Sequence, residues 1–174
     1  MAKQKIEPRT VEPWLRGGHT EVDAVRRAVL HALELAAEDV ARWCDGLNGD
    51  QIEIRPLGLP SVGFQLRHIA RSLDRLLTYA EGQQLSERQL KLLRTEEEFV
   101  DREATLMEFA EAIEVSTKRV LAFSNKSYEQ SRTVGRKKLP ASVGGLLVHC
   151  ADHTQRHVGQ TVTTAKAILA LREK

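Results

Sequence analysis

The chain has 174 residues, a length that suits one domain with a real hydrophobic core and leaves no room for a second full one. Its 26 Lys and Arg against 24 Asp and Glu give a formal charge of +2, too near neutral for a protein built on phosphate contacts, so nucleic acid is disfavoured as a partner. No apolar run reaches the roughly eighteen residues of a membrane span, the opening MAKQKIEPRTVEPWL has no apolar secretion core, and Cys44 and Cys150 form no Cys-x-x-Cys pair; the expectation is a cytoplasmic protein with plain thiols and no membrane partner.

The first punctuated segment runs from Thr20, followed by Asp23 as in a capping box, to Gly46. Val22, Val25, Val29, Ala32, Ala36, Val40 and Trp43 recur every three or four residues along it, the stripe of an amphipathic helix. Residues 46–60 hold three glycines and two prolines and read as a long loop, although Gln51-Ile52-Glu53-Ile54 alternates like a very short strand. Ser61 is placed to cap a second helix through Phe64, Leu66, Ile69, Leu73, Leu76 and Leu77 to Gly82. A short helix fits Ser86 to Glu98, before a charged connection over 94–104 in which Glu96, Glu97 and Glu98 read as a solvated face. Thr105 and Glu108 have the spacing of a capping box for a third long helix through Phe109, Ile113, Val120 and Phe123. The segment 125–140 loses all periodicity, and Arg132, Arg136, Lys137 and Lys138 make it a basic loop. Pro140-Ala141-Ser142 open the last helix, with Val143, Leu147, Ala151, Thr154, Val158, Ala165 and Leu169 on one face. Four such stripes can be buried only against each other, which makes the fold class all-α, a four-helix bundle formed as one domain over 1–174 with an extended arm over 1–18. Trp14 and Trp43 are expected to pack the core end.

The histidines point to chemistry. His149, His153 and His157 fall four apart on the last helix; about 0.2 His-x-x-x-His pairs are expected by chance at this composition, and three in register are roughly thirty times rarer. Neighbours in the row share a helix face and reach one ion, while the outer two lie about 12 Å apart and do not. Taking Leu147 as zero and about 100° per residue, His157 falls near −80°, His153 near −120° and His149 near −160°, so His153 and His157 are the pair closest to the bundle interior. A third ligand must come from another helix: His68 on the second or His31 on the first. Three imidazoles leave an open position for water or substrate, as in catalytic metal sites. A ferritin-like di-iron site needs Glu-x-x-His pairs, and the chain has none. Cys150, one turn before His153, reads as a buried inert thiol, and Gln160, one turn after His157, is placed to hydrogen-bond a ligand or substrate. Asp152 and Asp74 are the nearest carboxylates in sequence, and neither is assigned as a general base.

Three segments, EPWLRGGHTEVDAV, GFQLRHIARSLDRLLTY and LLVHCADHTQRHVGQ, carry a resemblance to the DinB/YfiT-like superfamily of bacterial metal-binding four-helix bundles, and it extends over nearly the whole domain. The resemblance implies an up-down-down-up bundle. It implies metal ligands at His68, His153 and His157, with His149 a non-ligating neighbour; the arginine usual before Gly-Gln is Val158 here. It further implies zinc or nickel as the divalent metal ion, a low-molecular-weight thiol as co-substrate, and S-transferase or hydrolase chemistry on a small-molecule substrate. The rival expectation is a non-catalytic bundle, a homodimer, with a degenerate or structural metal site.

Overall fold

A computed structural model describes residues 11–171. Of the arm expected over 1–18, residues 1–10 lie outside the described residues, and Pro13–Leu15 form a 3-10 turn. The helices are α1 (Ala24–Cys44), α2 (Gly49–Ile52), α3 (Val62–Ala80), α4 (Glu87–Arg94), α5 (Arg102–Ala122) and α6 (Val143–Leu171), with strands β1 (Ser131–Val134) and β2 (Leu139–Ser142) between α5 and α6. The architecture is an all-α bundle of the four long helices with one small antiparallel hairpin, and no helix among the described residues is long and apolar enough to cross a membrane.

Side-chain bonds set how the helices lie. Gln155 on α6 donates to the Ala32 carbonyl of α1 (2.7 Å), and Gly46 just past α1 sits beside Leu169, so α1 and α6 run in the same direction. Arg67 reaches Thr105 and Arg119 reaches Asp74, so α3 and α5 also run together. Across the pairs the direction reverses: Gln65 meets Gln160, Thr164 donates to the Pro60 carbonyl, and Arg26 donates to the Leu121 and Phe123 carbonyls. Leu33, Ala36, Leu66, Ile69, Leu73, Leu147, Val158 and Ala165 fill the space between them and are fully or almost fully buried. Helix α5 supplies Phe109 and Val120 as buried apolar side chains to that core, with Leu106 and Ile113 packed against it partly buried. Arginines from its neighbours also bind it: Arg71 takes Glu108 with two bonds, Arg26 takes the carbonyls at its end, and its own Arg102 and Arg119 reach back to the loops and to α3.

Several sequence expectations give way to tertiary contacts. The first helix is capped by Asp23, not Thr20: its carboxylate accepts from the Val25 and Arg26 amides and also from the Tyr128 hydroxyl (2.6 Å), which lies more than a hundred residues away. Helix α5 starts from an Asp101 cap, four residues ahead of Thr105, because the Thr105 hydroxyl is buried against Arg67 and Glu108 is engaged by Arg71. The long loop between the first two bundle helices contains α2, whose Asn48 and Gln51 form a reciprocal capping box. The basic loop before the last helix is instead the β1–β2 hairpin, turning at Gly135 (φ +70°) with Ser131 opposite Ser142. Four-residue strands are too short to show periodicity, and they hold here because Val134 and Ala141 pack on Tyr79, Ala80 and Leu146 while Arg132 donates to the Ala80 carbonyl (2.8 Å). Trp14 is 61% exposed and so does not pack the core end, whereas Trp43 lies against the core with the Lys166 ammonium 4.1 Å from its ring centroid.

Candidate metal centre

The Ser61 hydroxyl accepts from the Phe64 amide and starts α3 so that its first turns face α6. Gln65 and His68, three apart, therefore share the flank that meets α6. His153 and His157, four apart, answer from the other side. The structure brings His68, His153 and His157 together, with one ring nitrogen from each within 4.8 Å of the others, the one such group of His, Cys, Asp or Glu side chains among the described residues. The His68 and His153 Nε2 atoms are 3.2 Å apart. Two nitrogens bound tetrahedrally at zinc distances sit about 3.3 Å apart, so this spacing is that of a chelating pair.

The outward nitrogens of two rings are held by partners that the sequence reading did not identify. His68 donates from Nδ1 to Glu96 Oε2 (2.7 Å), and the other Glu96 oxygen accepts from Arg75 (2.6 Å). Burial alone would raise the Glu96 carboxyl, but the bonds from His68 and Arg75 outweigh it and hold the pKa below the ordinary value. Glu96 is thus not part of a solvated face. It is 7% exposed, folded under α3 by Arg67, which donates to its main-chain carbonyl (3.1 Å). His157 donates from Nδ1 to Gln65 Oε1 (2.7 Å), and the Gln65 amide nitrogen donates on to Gln160 Oε1 (3.1 Å). Both rings are thereby anchored through Nδ1, which leaves Nε2 of each for a metal. Phe64 stacks on the His68 ring, centroids 5.6 Å apart, and limits its tilt. Burial first, then the neighbouring His157, His68 and His149 rings, push His153 down to about 4, and burial also lowers His157; the two rings are neutral at physiological pH.

The other sequence candidates lie elsewhere. His149 is half-exposed beside Asp152, its ring 5.5 Å from that of His153. His31 is buried on α1, its ring nitrogen 3.3 Å from the Gly18 carbonyl. Asp74 is taken by Arg119 and Gln89, and Asp152 by Arg156. The Cys44 and Cys150 thiols are buried and free, and burial pushes both up to about 12, far from a thiolate. Gln65 carried a signal in the sequence, as a polar residue set among core positions that needs a partner. Glu96, one of three consecutive glutamates, carried none.

Among curated proteins no match to the sequence is found. The family model of the DinB superfamily matches residues 22–161, from just before α1 into the helix that carries His153 and His157. With that match over the greater part of an all-α bundle of four long helices, the chain belongs to the DinB superfamily.

Proposed function

We propose that the protein is a divalent-metal-dependent enzyme in which His68, His153 and His157 hold the ion, zinc or nickel, and that it acts on a small-molecule substrate as a low-molecular-weight-thiol S-transferase or a hydrolase. The observation that carries the reading is the convergence of three imidazoles from two helices, two of them held by Glu96 and Gln65. Imidazole ligands compensate none of a divalent charge, which favours an anionic fourth ligand, and the half-buried His153 and His157 leave that side of the cluster open to solvent. A bound ion of this kind lowers the pKa of a coordinated water or thiol toward neutrality and so supplies the nucleophile. The chain's own residues do the rest. Glu96 and Gln65 fix the rings before the ion arrives, and the Arg75 bond keeps Glu96 ionised so that it remains an acceptor. The buried cysteines take no part as nucleophiles. Among the described residues, Glu96 is the carboxylate hydrogen-bonded to one of the three rings; it orients His68 and is not placed to act as a general base.

The experiment is elemental analysis of protein purified without a histidine tag. One divalent ion per chain is expected, lost in His153→Ala and His68→Ala and kept in His149→Ala. Metal-free wild type whose melting does not respond to added zinc, nickel or chelator would refute the reading and leave an inert bundle. With the ion present, conjugation of small thiols to electrophiles that depends on His68 separates an enzyme from a structural site.

A further inference from the structure

A groove of about 290 Å³ runs along α6 beside the metal centre, between that helix and the segment ending at Pro60, and its Gln160 accepts from the Gln65 that holds His157. Leu59 and Pro60 form its apolar wall, and the wall is fixed because Thr164 donates to the Pro60 carbonyl (3.2 Å). Its polar side is Arg156 and Gln160, and its floor at Gly159 is open, since a Cβ there would meet nothing within 4 Å. Arg156 directly precedes His157 and is one helical turn from His153, close enough for its charge to act on both rings. It pairs with Asp152 through a single bond (2.7 Å), with both side chains more than half exposed. Such a pair contributes at most about 1 kcal/mol, so the guanidinium exchanges it readily for a two-pronged bond to a carboxylate that arrives with substrate.

We propose that this groove is the substrate's second anchoring point, and that the substrate carries a carboxylate on a short aliphatic arm, held by Arg156, while its reacting end sits at the three histidines. The inference rests on the metal-dependent reading above. The groove's volume equals that of roughly ten waters, enough for an arm of a few carbons and its carboxylate. The apolar wall suits the methylenes, and Gln160, which already accepts from Gln65, links the groove to the hydrogen bond that sets His157.

The test uses the full-length chain loaded with Co(II), whose visible absorption reports both loading and a new ligand. Two hydroxamates serve as probes, acetohydroxamate and the monohydroxamate of succinate, which differ by a carboxylate on a two-carbon arm. The succinate probe should bind at least about tenfold more tightly to wild type, the scale of one charge-assisted hydrogen bond. In Arg156→Ala that preference should fall below about twofold, both probes being compared at full Co(II) loading. Gly159→Leu, which fills the groove and keeps the charge, should abolish the preference as well. Equal binding of the two probes by wild type, or a preference that survives both substitutions, overturns the inference while leaving the metal site standing. Failure to load Co(II) at all overturns the metal-dependent reading, and this one with it.

Discussion

Replacing Glu96 by Ala removes an acceptor that the structure places under α3, bonded to the Arg75 guanidinium and the His68 ring. The carboxylate is 9% exposed, the Arg75 side chain 12%, and the bonds to Arg75 and His68 are 2.6 and 2.7 Å. Truncation strips a charge-assisted bond from each partner, leaves the Arg75 guanidinium poorly solvated, and leaves the His68 Nδ1–H without its acceptor. Each such bond contributes about 1.5–3 kcal/mol, and breaking one side of a buried pair costs about 3–5 kcal/mol; some solvent access at Arg75 trims this to about 3 kcal/mol for the metal-free protein. For a domain of this size that corresponds to a fall in Tm of roughly 6–12 °C. Zinc affinity should fall a further 10- to 100-fold, because His68 is no longer oriented or made more basic by the carboxylate. Glu96→Gln keeps the acceptor for His68 and loses the charge facing Arg75, so it should fall between wild type and Ala on both measures. Thermal unfolding in chelator and a zinc competition titration read the two effects separately. A glutamate on a solvated face would change stability by less than about 0.5 kcal/mol. If Glu96→Ala melts within 2 °C or so of wild type and holds zinc within about twofold, the reasoning from the buried Arg75–Glu96–His68 chain is wrong.

Three further outcomes follow from single observations. The Thr154 hydroxyl is buried without a hydrogen-bond partner, so Thr154→Val, which keeps the shape, should stabilise the protein by about 1 kcal/mol and raise Tm by about 2–4 °C; a lower Tm would show that the hydroxyl is satisfied after all. His153 sits near 4 against an ordinary 6.5, so below pH 6.5 the unfolded chain takes up a proton that the folded ring refuses. Stability of the metal-free protein should be flat from this group above about pH 6.5, and fall by on the order of 1–2 kcal/mol, discounted for partial exposure, as pH drops toward 4. In His153→Gln that acid slope should shrink, and urea titrations at pH 7 and 4.5 would show an unchanged slope if the assignment is wrong. Cys44 and Cys150, pushed up to about 12, should resist a disulfide reagent in the native protein and react only on unfolding; prompt labelling of either would contradict their burial.

What was legible in the sequence was periodic or local. The stripes of the four long helices are the packed faces observed, and Ser61 and Ser86 cap the helices they precede, because a side chain three residues from its amide needs no distant partner. The row of histidines declared itself by spacing, and the placement of His153 and His157 toward the interior came from the helical angle alone. The choice between His68 and His31 did not come from the angle: it needed the resemblance to a family, and then the packing of α3 on α6 that sets the His68 ring against His153. Where side chains answer residues far along the chain, local reading failed, as at Asp23 with Tyr128 and at Thr105 with Arg67.

The amino-acid sequence by itself determined that this chain is a helical bundle with a metal-competent face on its last helix, because apolar and imidazole spacing act over a single turn. Only the tertiary structure decided which histidine joins that face, that one of three adjacent glutamates lies beneath it, and that a basic stretch pairs into a hairpin. Those outcomes depend on where remote backbone arrives, and a buried charge is stable only next to the partner that arrives with it.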